Sequence, residues 1–350
     1  MRRTSVSEAV EGCLLGCAVG DAIGLPYEGL SMGRARRFAK LPLRHRFVCG
    51  RGMVSDDTDH TIFVAQALIR SRGETDVFRR VLAWRLRLWL LCLPAGIGWA
   101  TLRGIVRLWL GFPHSGVRSA GNGPSMRSGI IGAAVHADSV RRRALVEAST
   151  LLTHTDPRAL AGALAVAEVT ARLAVGAWNE RPPSAELAAL LNEASADPDW
   201  RRCVTAIASA CDAADPIAAA HEYFGGPGGV SGYVLHSVPF ALVAWHHHFG
   251  DYQATLESVV LAGGDVDTVG AIAGAMAGAV SGAAGIQVEW IDGIVDRPHG
   301  VDYIRMLARR LVDDSIPVAT HFSPLLLPRG LAFTVLVLAH GFRRLAPPYR

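Results

Sequence analysis

Apolar positions recur at three- and four-residue intervals along most of the chain, the spacing of one face of an α-helix. The pattern predicts helices near residues 58–71, 77–92, 97–110, 157–176, 185–194, 200–213, 232–248, 252–262, 267–283 and 300–314. No convincing alternating run predicts a strand, and no unit repeats at a fixed length. The punctuation is clear. GluArgProPro at 180–183 ends one helix, and GlyGlyProGlyGlyVal at 225–230 makes a tight loop between two others. AspProAsp at 197–199 starts another with a capping side chain. The expected fold class is all-α, one domain with its helices wrapped around a central site. The segment AlaGlyAlaMetAlaGlyAlaValSerGlyAlaAlaGly, 273–285, is dense in residues that let backbones approach closely, and predicts a helix at the centre.

Composition changes this picture little. At 350 residues and 50% hydrophobic, the chain can bury a sizeable core. A net charge of +4 suits an anionic ligand without requiring one. The basic runs at 34–37 and Arg141 to Arg143 lack interleaved aromatics, so no stable nucleic-acid complex is expected. Cys13, Cys17, Cys49, Cys92, Cys203 and Cys211 form no CxxC pair, and most sit in helical patterns as free buried thiols would. At the N-terminus, Glu8, Glu11 and Asp21 interrupt an apolar stretch that otherwise resembles a leader. A signal is not expected, and a reducing cytoplasm is. No segment reaches the apolar length of a membrane span cleanly. Residues 325–342 come closest, but Pro328, Arg329 and His340 break them; a helix docked on the core is expected there, with a weak membrane-facing tail as the alternative.

The candidate chemistry lies in two acidic clusters. Ser55, Asp56, Asp57, Thr58 and Asp59 precede an apolar helix, as do Asp265, Asp267 and Thr268 of GlyGlyAspValAspThr. Helix capping needs only one such side chain, and adjacent carboxylates repel. Two clusters of one pattern point to a shared cation site. The donors are hard oxygens, and no Cys or His accompanies both clusters. That favours Mg²⁺, Mn²⁺ or Ca²⁺ over Zn²⁺, and five carboxylates suggest two ions. Further elements are GlyAspAlaIleGly at 20–24 followed by Glu28, GlyAsnGlyProSerMetArg at 121–127, and LeuThrHisThrAsp at 152–156. The second suits a loop whose N–H groups cradle an anion.

In this order, GCLLGCAVGDAIGLPYEG, SDDT, GNGPSMRSG, LTH and GGDVDTVGAIAGAMAGA resemble the ADP-ribosylglycohydrolase family. The resemblance covers roughly residues 8–285, and the pairing of SDDT with GGDxDT is its most specific part. It implies an all-α bundle around a cleft with two Mg²⁺ or Mn²⁺ ions. Ser55, Asp56 and Asp57 would be ligands from one side, and Asp265, Asp267 and Thr268 from the other. Asp59 is expected as a supporting group or a cap, and Asp21 as a brace. The resemblance also implies that Gly121, Asn122 and Gly123 hold the phosphates and distal ribose, and that His154 contacts substrate. Glu28, Asp56 and Asp267 are the carboxyls expected to handle the proton.

The implied activity is metal-dependent hydrolysis of the C1″ glycosidic bond of an ADP-ribosylated protein or small ADP-ribose derivative. A monomer is expected, with residues 1–317 as the family domain and 318–350 as a C-terminal extension of opaque role. Two other classes stay open: a relative that only binds ADP-ribose or serves structurally, and a metal-dependent hydrolase of another nucleotide. Retention of both acidic clusters argues against the first, and no phosphatase nucleophile motif supports the second.

Overall fold

Two helices from opposite ends of the sequence form the spine of the molecule. The computed structural model describes residues 4–47 and 49–345. In it, Val6–Gly24 lies antiparallel to Val266–Ser281, glycine against glycine. A Cβ placed on Gly12 would come within 2.0 Å of the Gly278 carbonyl oxygen. On Gly16 it would come within 2.2 Å of Gly274 O, and on Gly20 within 2.1 Å of Gly270 O. Only hydrogen fits at these positions, so the four-residue spacing of the glycines sets the axial register of the two helices. Tyr252 locks the pair from the side, its hydroxyl donating to Gly16 O at 2.6 Å. The glycine-rich helix is central as expected, and its partner is the N-terminal stretch.

That stretch shows why a buried helix is hard to read. Val6–Tyr27 is long and apolar enough to cross a membrane, contrary to the expectation that no segment is, yet it is 94% buried inside the protein. It is apolar on nearly every side, so it has no amphipathic stripe. Its acidic interruptions are each accounted for. Glu8 closes a capping box with Ser5, Glu11 lies 3.4 Å from Arg305, and Asp21 faces the site described below.

The described residues form eighteen α-helices and two 3₁₀ turns, with only isolated bridges between loops. All ten sequence-predicted helices are present, with ends shifted by a few residues. The all-α expectation therefore holds. Asp197 caps Pro198–Cys211, accepting from the N–H groups of Asp199 and Trp200. Cys13, Cys17, Cys92 and Cys203 are buried free thiols, Cys211 is half-buried and Cys49 is exposed.

The C-terminal extension docks, as expected. Leu326–Arg343 is a helix laid against the loop after Thr75–Leu90. A Cβ on Gly330 would meet Cys92 O at 2.1 Å, and Thr334 Oγ1 donates to Leu93 O at 3.4 Å. Phe333 is buried with Leu25 and Met53 in a small cluster of its own.

Candidate functional site

The glycine spine places Asp21, near the end of the first helix, beside the starts of two acidic helices. Asp21 is fully buried. Its Oδ2 accepts from Ser55 N at 2.8 Å, from Thr58 N at 3.2 Å and from Thr58 Oγ1 at 2.5 Å. It is a brace for the start of Asp56–Ser71. Ser55 caps that helix, its Oγ accepting from Asp57 N at 3.3 Å and donating to Asp57 Oδ2 at 3.1 Å. The acids therefore occupy the first turn instead of preceding it. Since Ser55 does the capping, Asp56 and Asp57 are free for other work.

The second cluster arrives by a glycine crossing. Gly263 (φ +69°) and Gly264 (φ +89°) adopt a left-handed backbone that other residues rarely take. A Cβ on Gly264 would meet Val230 O at 2.0 Å. This tight passage turns Asp265 and Asp267 toward the first cluster as Val266–Ser281 begins. Asp265 is the N-cap residue but makes no side-chain cap bond. Its Oδ2 instead accepts from Asn122 Nδ2 at 2.7 Å. Thr268 Oγ1 donates to Asp57 Oδ2 at 3.3 Å, joining the two clusters directly.

Glu28, Asp265 and Asp267 offer carboxylate oxygens that all lie within 4.8 Å of one another. Burial pushes Asp21 up to about 6. Burial, then Asp21 and Glu28, raise Asp56. Burial, then Asp21 and Asp56, raise Asp57. Burial, then Glu28 and Asp265, raise Asp267, and burial raises Asp265. Glu28 opens to the cleft, but the surrounding protein displaces much of its hydration and Asp265 faces it, so it too is raised. Six mutually repelling carboxyls cannot all ionise without a counter-charge. The Oδ1 atoms of Asp21, Asp57 and Asp267 are buried with no hydrogen-bond partner among the described residues. These orphaned oxygens and the all-oxygen donor set fit hard divalent cations.

The carboxylates floor a cleft of about 790 Å³, within the range for small-molecule sites. Ser55, Asp56, Asp265, Asp267, Thr268, Glu28, Gly121, Asn122, Gly123 and His154 all line it, whereas Asp57 lies just beneath. Neither Gly121 nor Gly123 has a positive φ, so the loop lacks the alternating backbone of an anion nest. The glycines instead admit the His154 ring, whose Nε2 would lie 3.1 Å from a Cβ on Gly121. Burial, then Arg127, push His154 down to about 3, so its ring is neutral.

Sequence reasoning missed three contributors. Arg127, at the end of the quoted GNGPSMR motif, is fully buried beneath the cleft. It is bonded to Ser149, Thr153 and His60, and its charge favours ionisation of nearby Asp56. The glycine loop 225–229 forms one wall. The C-terminal helix forms another, through Phe333 and Val337, and Arg344 Nη2 donates to Glu28 O at 2.7 Å. Asp59 is neither cap nor part of the acidic trio. It accepts from Trp89 Nε1 at 3.0 Å and lies 2.6 Å from His299 Nδ1.

The family model for ADP-ribosylglycohydrolase matches residues 2–319, both acidic clusters included. The chain belongs to the ADP-ribosylglycohydrolase family. It is 28% identical over 333 residues to an uncharacterized protein of Archaeoglobus fulgidus, covering 88% of this chain and 97% of that one. It is 25% identical over 307 residues to the ADP-ribosyl-[dinitrogen reductase] glycohydrolase of Rhodospirillum rubrum, covering 83% and 92%. A solved ADP-ribosylglycohydrolase-related protein complex superposes with a TM-score of 0.67 at 26% identity, covering 88% of this chain and 98% of that one. Family membership supports glycohydrolase chemistry on ADP-ribosylated substrates, with a general dependence on metal. The Leu326–Arg343 helix lies beyond the matched region.

Proposed function

We propose that the chain hydrolyses the C1″ glycosidic bond of ADP-ribosylated proteins or small ADP-ribose derivatives, releasing ADP-ribose, with two Mg²⁺ or Mn²⁺ ions as cofactors. The observation that carries this reading is the acidic floor: Glu28, Asp265 and Asp267 converge within 4.8 Å beneath the cleft, next to Asp56 and Asp57. Ser55, Asp56, Asp57, Asp265, Asp267 and Thr268 would hold the ions. When bound, the ions supply positive charge that grips a ribose diol and makes a water more acidic.

The chain's own residues do the rest. Glu28 is the trio's most solvent-accessible member, and its raised carboxyl suits proton exchange with an attacking water. Asp56 and Asp267 line the same floor and can share that proton, and their negative charge favours the oxocarbenium character that develops at C1″. Asn122 orients Asp265 through its amide. Neutral His154 packs beneath Gly121 and Gly123 and supports the wall against which the ribose and phosphates would lie.

The test is hydrolysis of ADP-ribosyl-arginine, an ADP-ribosyl-serine peptide and O-acetyl-ADP-ribose, with Mg²⁺ or Mn²⁺ and with EDTA, read by mass spectrometry. Metal-dependent release of ADP-ribose from one substrate supports the reading and names the acceptor. Release of inorganic phosphate instead, or turnover unaffected by EDTA, would overturn it.

A further inference from the structure

The C-terminal helix carries an apolar stripe on its outer side. Its polar side chains turn inward: Arg329 to Asp296, Thr334 to Leu93 O and His340 to Pro26 O. Leu326 and Phe333 are buried, but five other apolar side chains turn outward. Leu327, Leu331, Val335, Leu338 and Phe342 are all exposed, Val335 and Phe342 at 65% and 71%. Their four- and three-residue steps put them in one narrow stripe along the helix. The adjoining loop continues the stripe with exposed Leu91 and Leu93. On the two helices that this loop joins, exposed Trp84 and Trp109 pack edge to face at 6.3 Å, with Arg87 over the Trp84 ring. Trp99, 72% exposed, lies at the cleft mouth beside Phe333 and Val337 of the same helix.

The exposed charge in the segments that carry these side chains is mostly positive. In residues 77–137 and 315–345, which contain no Asp or Glu, Arg80, Arg103, Arg118 and Arg343 are exposed, whereas Arg85 and Arg127 are buried, Arg329 pairs with Asp59 and Asp296, and Arg79 pairs with Asp76. An exposed aliphatic stripe, exposed tryptophans and exposed arginines in stretches without acidic residues match the requirements for lying on an anionic lipid surface.

We propose that the exposed stripe of the Leu326–Arg343 helix, together with the Trp84–Trp109 pair, docks this protein peripherally on an anionic phospholipid membrane. The cleft mouth then opens at the edge of the docked face, next to the bilayer.

The test uses the full chain and flotation with two vesicle preparations, pure phosphatidylcholine and phosphatidylcholine carrying about a third phosphatidylglycerol. Partition onto the anionic vesicles is expected to exceed that onto neutral ones by about tenfold or more, and to fall when salt near 1 M screens the arginines. The double variants Leu338→Gln/Phe342→Gln and Arg80→Glu/Arg103→Glu alter only exposed side chains and should each reduce partition by about tenfold, with thermal unfolding and circular dichroism unchanged. No flotation with anionic vesicles, equal flotation with neutral ones, or variants that bind like the parent would overturn the proposal. A dimer by light scattering in a protein that ignores both vesicles would assign the stripe to a second copy and overturn it likewise.

Discussion

Arg329 of the C-terminal helix is held between two buried carboxylates. Its Nη2 lies 2.7 Å from Asp296 Oδ2, and its Nη1 lies 3.4 Å from Asp59 Oδ2. The same guanidinium also donates to Val54 O, one residue before the capping Ser55. A segment outside the family match thus grips the back of the acidic helix that lines the cleft. Burial pushes Asp59 up, but Arg329, His299 and Trp89 outweigh it and hold the carboxyl down at about 2.

Arg329→Ala should therefore leave Asp59 and Asp296 buried without their cation. Breaking one side of a buried ion pair costs about 3–5 kcal/mol. The melting temperature should fall by several degrees. Arg329→Lys should recover only part of the loss, since an ammonium cannot bridge both carboxylates and the carbonyl as a planar fork does. Thermal unfolding of the two variants decides the point, and equal melting temperatures for all three proteins would refute it.

Removing one charge from the acidic floor has opposite effects on stability and activity. Asp267→Asn or Asp265→Asn relieves like-charge repulsion, so the metal-free variant should melt at or above the parent's temperature. Its response to millimolar Mg²⁺ or Mn²⁺ should shrink, because ions stabilise the folded state only as far as they bind it. Turnover should fall by about 100-fold or more, the scale of losing an electrostatic contributor at a reacting centre. Calorimetry with and without metal, beside the hydrolysis assay, measures both.

The pH dependence of the metal effect follows from the raised carboxyls. Asp21 titrates near 6 in the folded chain and near the usual aspartate value when unfolded. A group raised in this way stabilises the metal-free fold fully below the unfolded value and loses that contribution as pH rises through about 6. Asp56, Asp57, Asp265 and Asp267 move in the same direction. Neutral His154 and His60 act oppositely, gaining stability as pH rises toward about 6.5, but they do not depend on metal. The diagnostic quantity is thus the difference between the metal-loaded and metal-free melting temperatures. It should be negligible near pH 4 and grow through pH 6, as metal displaces protons. A difference that stays flat over that window would contradict the assignment.

The glycine spine predicts a sharp contrast between substitutions. Gly16→Ala or Gly20→Ala drives a methyl into a carbonyl of the facing helix, and overpacking of this kind costs about 1–3 kcal/mol or more. Because the same contact places Asp21 under Ser55, activity should fall with stability. Gly33→Ala, where a Cβ meets nothing within 4 Å and the backbone is helical, should be neutral or gain up to about 1 kcal/mol. Denaturant unfolding of the three variants provides the comparison.

The two acidic clusters could be found in the sequence because each is contiguous, with more carboxylates than a helix start can use. Other features needed the fold. The glycines at 12, 16, 20 and 24 are visible in the sequence, but their meaning depends on partners at 266–278. Arg127 closes a motif that was noticed for its glycines, and only its burial beside His60 and near Asp56 reveals its role. Arg329 reads locally as an interruption of an apolar run, because nothing nearby in the sequence announces a carboxylate partner 270 positions away. The first helix gave no period because it is surrounded on all sides.

The pairing of Val6–Gly24 with Val266–Ser281 also bears on how the chain is made. Val6–Gly24 must wait for Val266–Ser281, more than two hundred residues later, before its glycine face is covered, a delay of roughly 15 to 50 seconds at ordinary rates of synthesis. Until then a strongly apolar segment is unprotected, and no cation site exists, since its donors come from both ends. Nascent chains arrested before residue 281 should stay protease-sensitive at the N-terminal helix, and release of the full chain should protect it in a single step. The acidic floor of the cleft is therefore assembled late in synthesis, and a product that stops before Asp265 would lack half of it.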